Sequence, residues 1–148
     1  MKKELNIILA EDDDGHASLI KRNLKRAGLL NEIIHFKNGQ ETLDFLLKGK
    51  EDKERVKDVA SLLLLDIKMP GVDGIEVLRK VKADDFLKKM PVIMITTTDD
   101  PREIDMCHEL GCSSYITKPI DYEKFVSAIR QLGLFLLIVE VPDLNNMK

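Results

Sequence analysis

Short apolar runs alternate with amphipathic segments along most of the chain. Leu5-Asn6-Ile7-Ile8-Leu9-Ala10 predicts a buried strand; Ala17, Ile20, Leu24 and Ala27 follow at helical spacing, with a stop at Gly28. Glu32 to Phe36 predicts a second strand. Asn38 then suits an N-cap, with Glu41 three residues on completing a capping box for a helix through Leu43, Leu46 and Leu47 to Gly49. Lys50 to Asp58 is charged and without period, a solvated loop or helix extension. Ser61 to Asp66 carries four leucines in a row, and so short a run between charged flanks suits a central strand buried on both faces. Met69-Pro70-Gly71 reads as a turn, and Ile75, Leu78 and Val81 as a third helix. Pro91 to Thr96 predicts a fourth strand. Asp100 as N-cap, Pro101 at the first helical position and Glu103 near the positive end of the macrodipole open a fourth helix, closed by Gly111. Ser113 to Thr117 makes a fifth strand, and Tyr122, Phe125, Ile129 and Leu132 mark a fifth helix.

A βα unit repeated five times, with connections too long for hairpins, predicts an α/β fold: a doubly wound five-stranded parallel sheet with helices on both faces. Right-handed crossovers then put any site at the carboxyl ends of the strands. At 148 residues, 44% hydrophobic and 33% charged, the chain fits one soluble domain. A net charge of -3 without a basic block argues against nucleic acid as a partner. Its longest apolar stretch, Leu134 to Val139, is too short to span a bilayer, and Met1-Lys2-Lys3-Glu4 lacks the apolar run of a signal peptide. Cys107 and Cys112 are too few for a disulfide scaffold, so a reducing cytoplasm is the expected location.

The polar residues at the strand ends carry the chemistry. Strand one ends at Glu11-Asp12-Asp13-Asp14, strand three at Asp66, strand four at Thr96 and strand five at Lys118. A parallel sheet gathers them along one edge, carboxylates facing one hydroxyl and one ammonium. Carboxylates so close repel, and a hard divalent cation such as Mg2+ is the usual remedy. Lys118 adds a second positive charge, a combination that suits stabilising a transferring phosphoryl group. A carboxylate can itself be the nucleophile, and Asp66, ending the central strand, is best placed for an aspartyl phosphate.

Four segments, Ile8-Leu9-Ala10-Glu11-Asp12, Leu64 to Gly74, Pro91 to Thr96 and Tyr115-Ile116-Thr117-Lys118-Pro119, occur in order at the right strand ends. With them the chain from about residue 4 to 132 resembles the receiver domains of two-component response regulators. The resemblance implies a flavodoxin-like sheet of order 2-1-3-4-5 and a phosphorelay switch that accepts a phosphoryl group from a histidine kinase. It implies Asp66 as phosphoacceptor, Asp12 as direct Mg2+ ligand, Glu11 helping through water, and the backbone carbonyl of Lys68 as another ligand. Thr96 and Lys118 would meet phosphoryl oxygens, Tyr115 would be the aromatic switch that follows Thr96, and the bond before Pro119 would be cis. Lys68 and Thr98 stand where the family tunes dephosphorylation, and Lys68 would reach over the site.

No output domain is read after the fifth helix, so residues 1–133 are expected to form the receiver and 134–148 an apolar extension and tail. The 50–58 insert, Thr96-Thr97-Thr98 and Glu109-Leu110-Gly111-Cys112 resemble the stand-alone receivers that serve bacterial phytochrome kinases. Partners implied are such a kinase or a histidine phosphotransfer domain. The apolar residues 134–139 either continue the fifth helix against the domain or form a patch that a homodimer through the fourth helix, fifth strand, fifth helix and tail would cover. No enzymatic activity is expected beyond the protein's own phosphoryl transfer and dephosphorylation.

Blander readings compete. Asp13 and Asp14 read as an acidic helix entry, Asp73-Gly74 as turn and helix-start chemistry, Thr97 and Thr98 as a strand end, and Tyr115 also as edge packing. His16, His35 and His108 form no triad, and Cys107 and Cys112 read as packing. Two other functions fit parts of the sequence. Asp12-Asp13-Asp14-Gly15 has the spacing of a haloacid-dehalogenase phosphatase signature, with Asp12 as nucleophile, but leaves Asp66-Ile67-Lys68-Met69-Pro70 unexplained. A receiver-like scaffold that binds without phosphorylation would ordinarily have lost an acid or the lysine, and neither is missing here.

Overall fold

A computed structural model describes residues 4–29, 31–51 and 59–131. Five strands, β1 (Glu4–Ala10), β2 (Ile33–Phe36), β3 (Val59–Leu65), β4 (Val92–Thr96) and β5 (Ser114–Thr117), form one sheet in the order β2-β1-β3-β4-β5. Every pairing is parallel. The helices are α1 (Asp14–Arg26), α2 (Gly39–Glu51), α3 (Gly74–Ala83), α4 (Pro101–Leu110) and α5 (Tyr122–Gln131).

Strand alternation sorts the core into two layers. Ile7, Leu9, Leu62, Leu64, Ile93 and Ile95 point to one side, against Ala17, Ile20 and Leu24 of α1 and Phe125 and Ile129 of α5. Ile8, Ala10, Leu63, Leu65, Val92 and Met94 point to the other, against α2, α3 and Cys107 of α4. The four leucines of β3 are fully buried, two per face, which is why a run without alternation forms a strand here. Burying each is worth about 2 kcal/mol.

The helix starts are capped by side chains, Asp100 as the sequence predicts and Asp13 and Asp73 where it reads an acidic helix entry and a turn. Asp13, Asp73 and Asp100 accept amide hydrogen bonds from His16, Glu76 and Arg102 at 2.9, 2.9 and 3.0 Å. Gly111 ends α4 with φ 103°, where a side chain would be strained. Ahead of α2, Asn38 Oδ1 accepts from the Glu41 amide at 2.8 Å, while Glu41 is bonded in return by the Asn38 side-chain amide at 3.0 Å rather than by its backbone. One element is missing from the sequence reading: a 3-10 turn at Leu87–Lys89, where the Asp84 carboxylate receives the amides of Phe86 and Leu87. The 50–58 insert begins as the end of α2, and residues 52–58 fall outside the described residues. So do the domain boundary at 133 and the apolar tail.

Gly74 fixes how α3 meets the end of β3. Its amide donates to Ile67 O at 2.9 Å, and a Cβ on it would lie 2.0 Å from the Asp66 carbonyl oxygen. Gly74→Ala is expected to push α3 off this loop and lower stability by about 1–3 kcal/mol, read from urea unfolding. A midpoint equal to the parent's would show that the approach is not close.

Candidate functional site

The sheet ends one residue short of its chemistry. Just past β1, the Glu11 amide donates to Phe36 O at 3.0 Å; just past β3, the Asp66 amide donates to Ala10 O at 3.0 Å; just past β5, the Lys118 amide donates to Thr96 O at 2.8 Å. Each bond carries the parallel ladder one step further and locks the Cα of a polar residue to its neighbouring strand. Thr96 is the last residue of β4. The Lys118–Pro119 peptide is cis.

Burial makes the cluster unusual. Glu11, Asp66 and the Lys118 side chain are 1%, 5% and 6% exposed, and Thr96 is fully buried. Lys118 Nζ donates to Glu11 Oε1 at 2.6 Å and lies 3.6 Å from Asp66 Oδ2. Glu11 Oε2 accepts the Asp13 amide at 3.1 Å. Asp66 Oδ1 is buried without a hydrogen-bond partner among the described residues. Leaving such an atom unpaired costs about 1–3 kcal/mol, so it marks a group kept ready for something other than folding. Asp12 is exposed, yet one carboxylate oxygen from each of Glu11, Asp12 and Asp66 lies within 4.8 Å of the others. Three hard oxygen donors so grouped fit a divalent cation.

Burial pushes the Glu11 carboxyl up from 4.5 to about 7; the Lys118 hydrogen bond opposes this rise and the Asp66 charge reinforces it.

A second polar group lies beyond β4. The Thr98 amide reaches Thr96 Oγ1 only at 3.5 Å, a weak bond that leaves this hydroxyl nearly unengaged. Thr98 Oγ1 donates to Glu103 Oε1 at 3.0 Å, and Thr98 O accepts from the Tyr115 hydroxyl at 3.0 Å. Burial raises the Tyr115 pKa, so that hydroxyl stays a donor. Thr98 is therefore a junction and not merely a strand end. Lys68 is not folded over the acids: its side chain is 63% exposed, with Nζ 3.8 Å from Glu103 Oε1.

Two histidines that look scattered in the sequence converge on Glu11. His35 Nε2 lies 2.8 Å from Glu11 O, and His16 Nδ1 lies 2.8 Å from Lys118 Nζ. The signal for His16 was its place three residues after the N-cap Asp13, which puts it on the first turn above the strand ends. His35 is signalled only as a polar residue in an apolar strand. His108 stays on the surface, 3.7 Å from Cys112 Sγ.

The profile of the response regulator receiver domain matches residues 7–130. The chain belongs to this family. The response regulator receiver domain from Rhodospirillum rubrum is 47% identical, with a TM-score of 0.71, covering 92% of this chain and 96% of that one. The bacteriophytochrome response regulator RtBRR is 35% identical at a TM-score of 0.75, covering 90% and 79%. Response regulator Rcp1 of Synechocystis is 28% identical over 131 residues, 88% of each chain. A crystal structure of a Mn(2+)-bound response regulator Rcp1 is similar at a TM-score of 0.70 and 27% identity, covering 90% and 95%.

Receiver domains are signalling proteins of two-component systems: they bind a divalent metal and interact with histidine kinases or phosphotransfer proteins. This receiver thus works in two-component signalling, and the haloacid-dehalogenase alternative finds no support. Its would-be signature is occupied otherwise, with Asp13 capping α1 and Asp14 paired to Lys37 at 3.1 Å. Among the described residues no helix is long and apolar enough to cross a membrane.

A carboxyl that holds its proton more tightly folded than unfolded makes folding take up a proton. Its contribution is therefore most favourable below 4.5 and is lost as pH rises from there to about 7. Without metal, the parent should lose stability relative to Glu11→Gln across this window, by at most about 1.4 kcal/mol per pH unit. Thermal melts in chelator from pH 4.5 to 8 measure this, and parallel profiles would mean that Glu11 is ionised throughout.

Proposed function

We propose that this receiver accepts a phosphoryl group on Asp66 from a histidine kinase and thereby switches its α4–β5–α5 face. The observation that carries the reading is the buried, unpartnered Asp66 Oδ1 beside a buried ammonium. An unengaged carboxylate oxygen is a better nucleophile than one spent on hydrogen bonds. It attacks phosphorus as the bond to the donor's imidazole nitrogen breaks, and that nitrogen leaves with the electron pair. Lys118, 3.6 Å from Asp66, then pairs with one phosphoryl oxygen, and the weakly held Thr96 hydroxyl donates to another.

Asp12, Asp66, Glu11 and the backbone carbonyl of Lys68 are the groups that would hold the cation, Mg2+ on our reading. When bound, it neutralises charge on the phosphoryl oxygens. The all-oxygen donor set supports this choice, since magnesium takes oxygen ligands and keeps several waters.

Tyr115 is the switch residue of the proposal. Its hydroxyl holds the Thr98 carbonyl, so displacement of the loop following Thr96 is felt at β5. Lys68 acts on phosphoryl lifetime through its position over Glu103 rather than by shielding the acids. Likeness to RtBRR, a bacteriophytochrome response regulator by name, supports a phytochrome-type kinase as the donor. A histidine phosphotransfer domain is the other candidate, and the cytoplasm is the proposed location. A homodimer through α4, β5, α5 and the C-terminal extension is part of the same proposal. Catalysis is confined to this protein's own phosphoryl transfer and dephosphorylation.

Intact mass after incubation with acetyl phosphate, with and without Mg2+, tests the assignment. A single phosphoryl adduct is expected in the parent with Mg2+, and none in Asp66→Asn. An adduct that survives the substitution, or its absence from the parent, would overturn it and bring forward the phosphorylation-independent scaffold.

A further inference from the structure

Among the described residues, His16 is the one side chain on Lys118 that the proposed function does not use. Its amide donates to Asp13 Oδ1 at 2.9 Å as part of the α1 cap, which fixes its backbone above the strand ends. Its ring is 44% exposed and lies at the mouth of the site. Lysine has no acceptor, so the 2.8 Å contact between Lys118 Nζ and His16 Nδ1 has Nδ1 accepting, with the ring proton on Nε2. The ammonium thus spends one donor on Glu11 at 2.6 Å and a second on His16, both reached from the β1 and α1 side. Asp66 Oδ2, at 3.6 Å, is beyond hydrogen-bond range.

We propose that His16 is a positioning residue that holds the Lys118 ammonium back from Asp66 and so shortens the life of the phosphorylated state. The inference rests on the reading that Lys118 follows the phosphoryl group. Any movement of Nζ toward Asp66 must stretch or break the bond to His16, so in the phosphorylated protein His16 and the phosphoryl oxygen compete for the same ammonium. Time spent at His16 leaves the aspartyl phosphate without its ammonium partner, and removing that competitor shifts the phosphorylated ensemble toward the paired, longer-lived arrangement. Glu11 also restrains Lys118, but as a buried carboxylate of the cation set it cannot be removed without other effects. The half-exposed His16 can, because water replaces it at the mouth.

The tests are His16→Leu, His16→Asn and His16→Gln in the full chain. An asparagine Oδ1 can stand where Nδ1 stood, whereas a glutamine amide lies one bond further out, near Nε2. In His16→Leu the aspartyl phosphate should last roughly three- to tenfold longer, the range that a half-exposed hydrogen bond to a charged group sustains. His16→Asn should restore the parental lifetime and His16→Gln should resemble His16→Leu. The second readout needs no phosphoryl group: proton exchange of the Lys118 ammonium, followed by 15N NMR in the unphosphorylated protein. It should quicken in His16→Leu and His16→Gln, and stay slow in His16→Asn.

Unchanged exchange in His16→Leu would overturn the contact. Quickened exchange with an equal or shorter lifetime would overturn the restraining role. Equal lifetimes for Asn and Gln variants would reduce the effect to packing and likewise overturn it. A parent that forms no adduct on Asp66 would instead overturn the proposed function, and the exchange measurement would still report on the contact.

Discussion

Parallel pairing carried one residue past the strands is the constraint on which the site depends. A parallel ladder fixes the relative height of neighbouring strands through slanted, evenly spaced hydrogen bonds. Here three of those bonds fall on Glu11, Asp66 and Lys118, residues that no longer belong to the strands. Their backbones are therefore as immobile as the sheet, while their side chains are released from the pleat and turn toward one another. The β1–β3 register, with Ala10 opposite Leu65, sets the two acids side by side at the centre of the sheet. Slipping it by one residue would exchange the two leucine layers of β3 between core faces, so the apolar core enforces the geometry of the acids.

The same arrangement is electrostatically costly. Isolated buried carboxylates lose several kcal/mol of hydration, and two together also repel. Lys118 offsets part of this through its 2.6 Å bond to Glu11, and the Asp13 amide offsets more. Asp66 is left with an ion pair at 3.6 Å on one oxygen and, among the described residues, no hydrogen-bond partner for the other. The deficit sits on the carboxylate proposed to react, and the two layers of buried apolar side chains that flank the sheet offset it.

Much of this was legible in the sequence, for reasons that differ by residue. The strands were visible as apolar runs and the helices as apolar residues at helical spacing, with α4 bounded by Asp100 and Gly111, whose capping chemistry is local. The convergence of Glu11, Asp66, Thr96 and Lys118 followed from topology alone, since parallel strands present their carboxyl ends together. What topology could not supply was side-chain direction. Lys68 lies two residues beyond Asp66 yet turns to Glu103, because α4 begins with acidic side chains that attract it. His16 and His35 come from α1 and β2, and no spacing rule links them to each other or to Glu11. The 3-10 turn at Leu87–Lys89 depends on Asp84 accepting two amides at once, a pattern that periodicity does not register.

Thr98 shows how a change at the acids can leave the site without a long path. Its amide touches Thr96, its hydroxyl holds Glu103 on α4, and its carbonyl receives Tyr115 from β5. One residue therefore couples the end of β4 to both elements of the face that the proposal has switching. The first of these bonds, at 3.5 Å, is the weakest of the three. On the proposed reading, drawing the Thr96 hydroxyl toward a phosphoryl oxygen costs little in that bond, and the backbone from Thr96 to Thr98 carries the displacement to the two shorter bonds beyond it. Those hold a charged side chain on α4 and an aromatic ring on β5, groups large enough to alter a surface when they move. A switch built this way needs a loose first contact and firm later ones, which is the order of bond lengths found here.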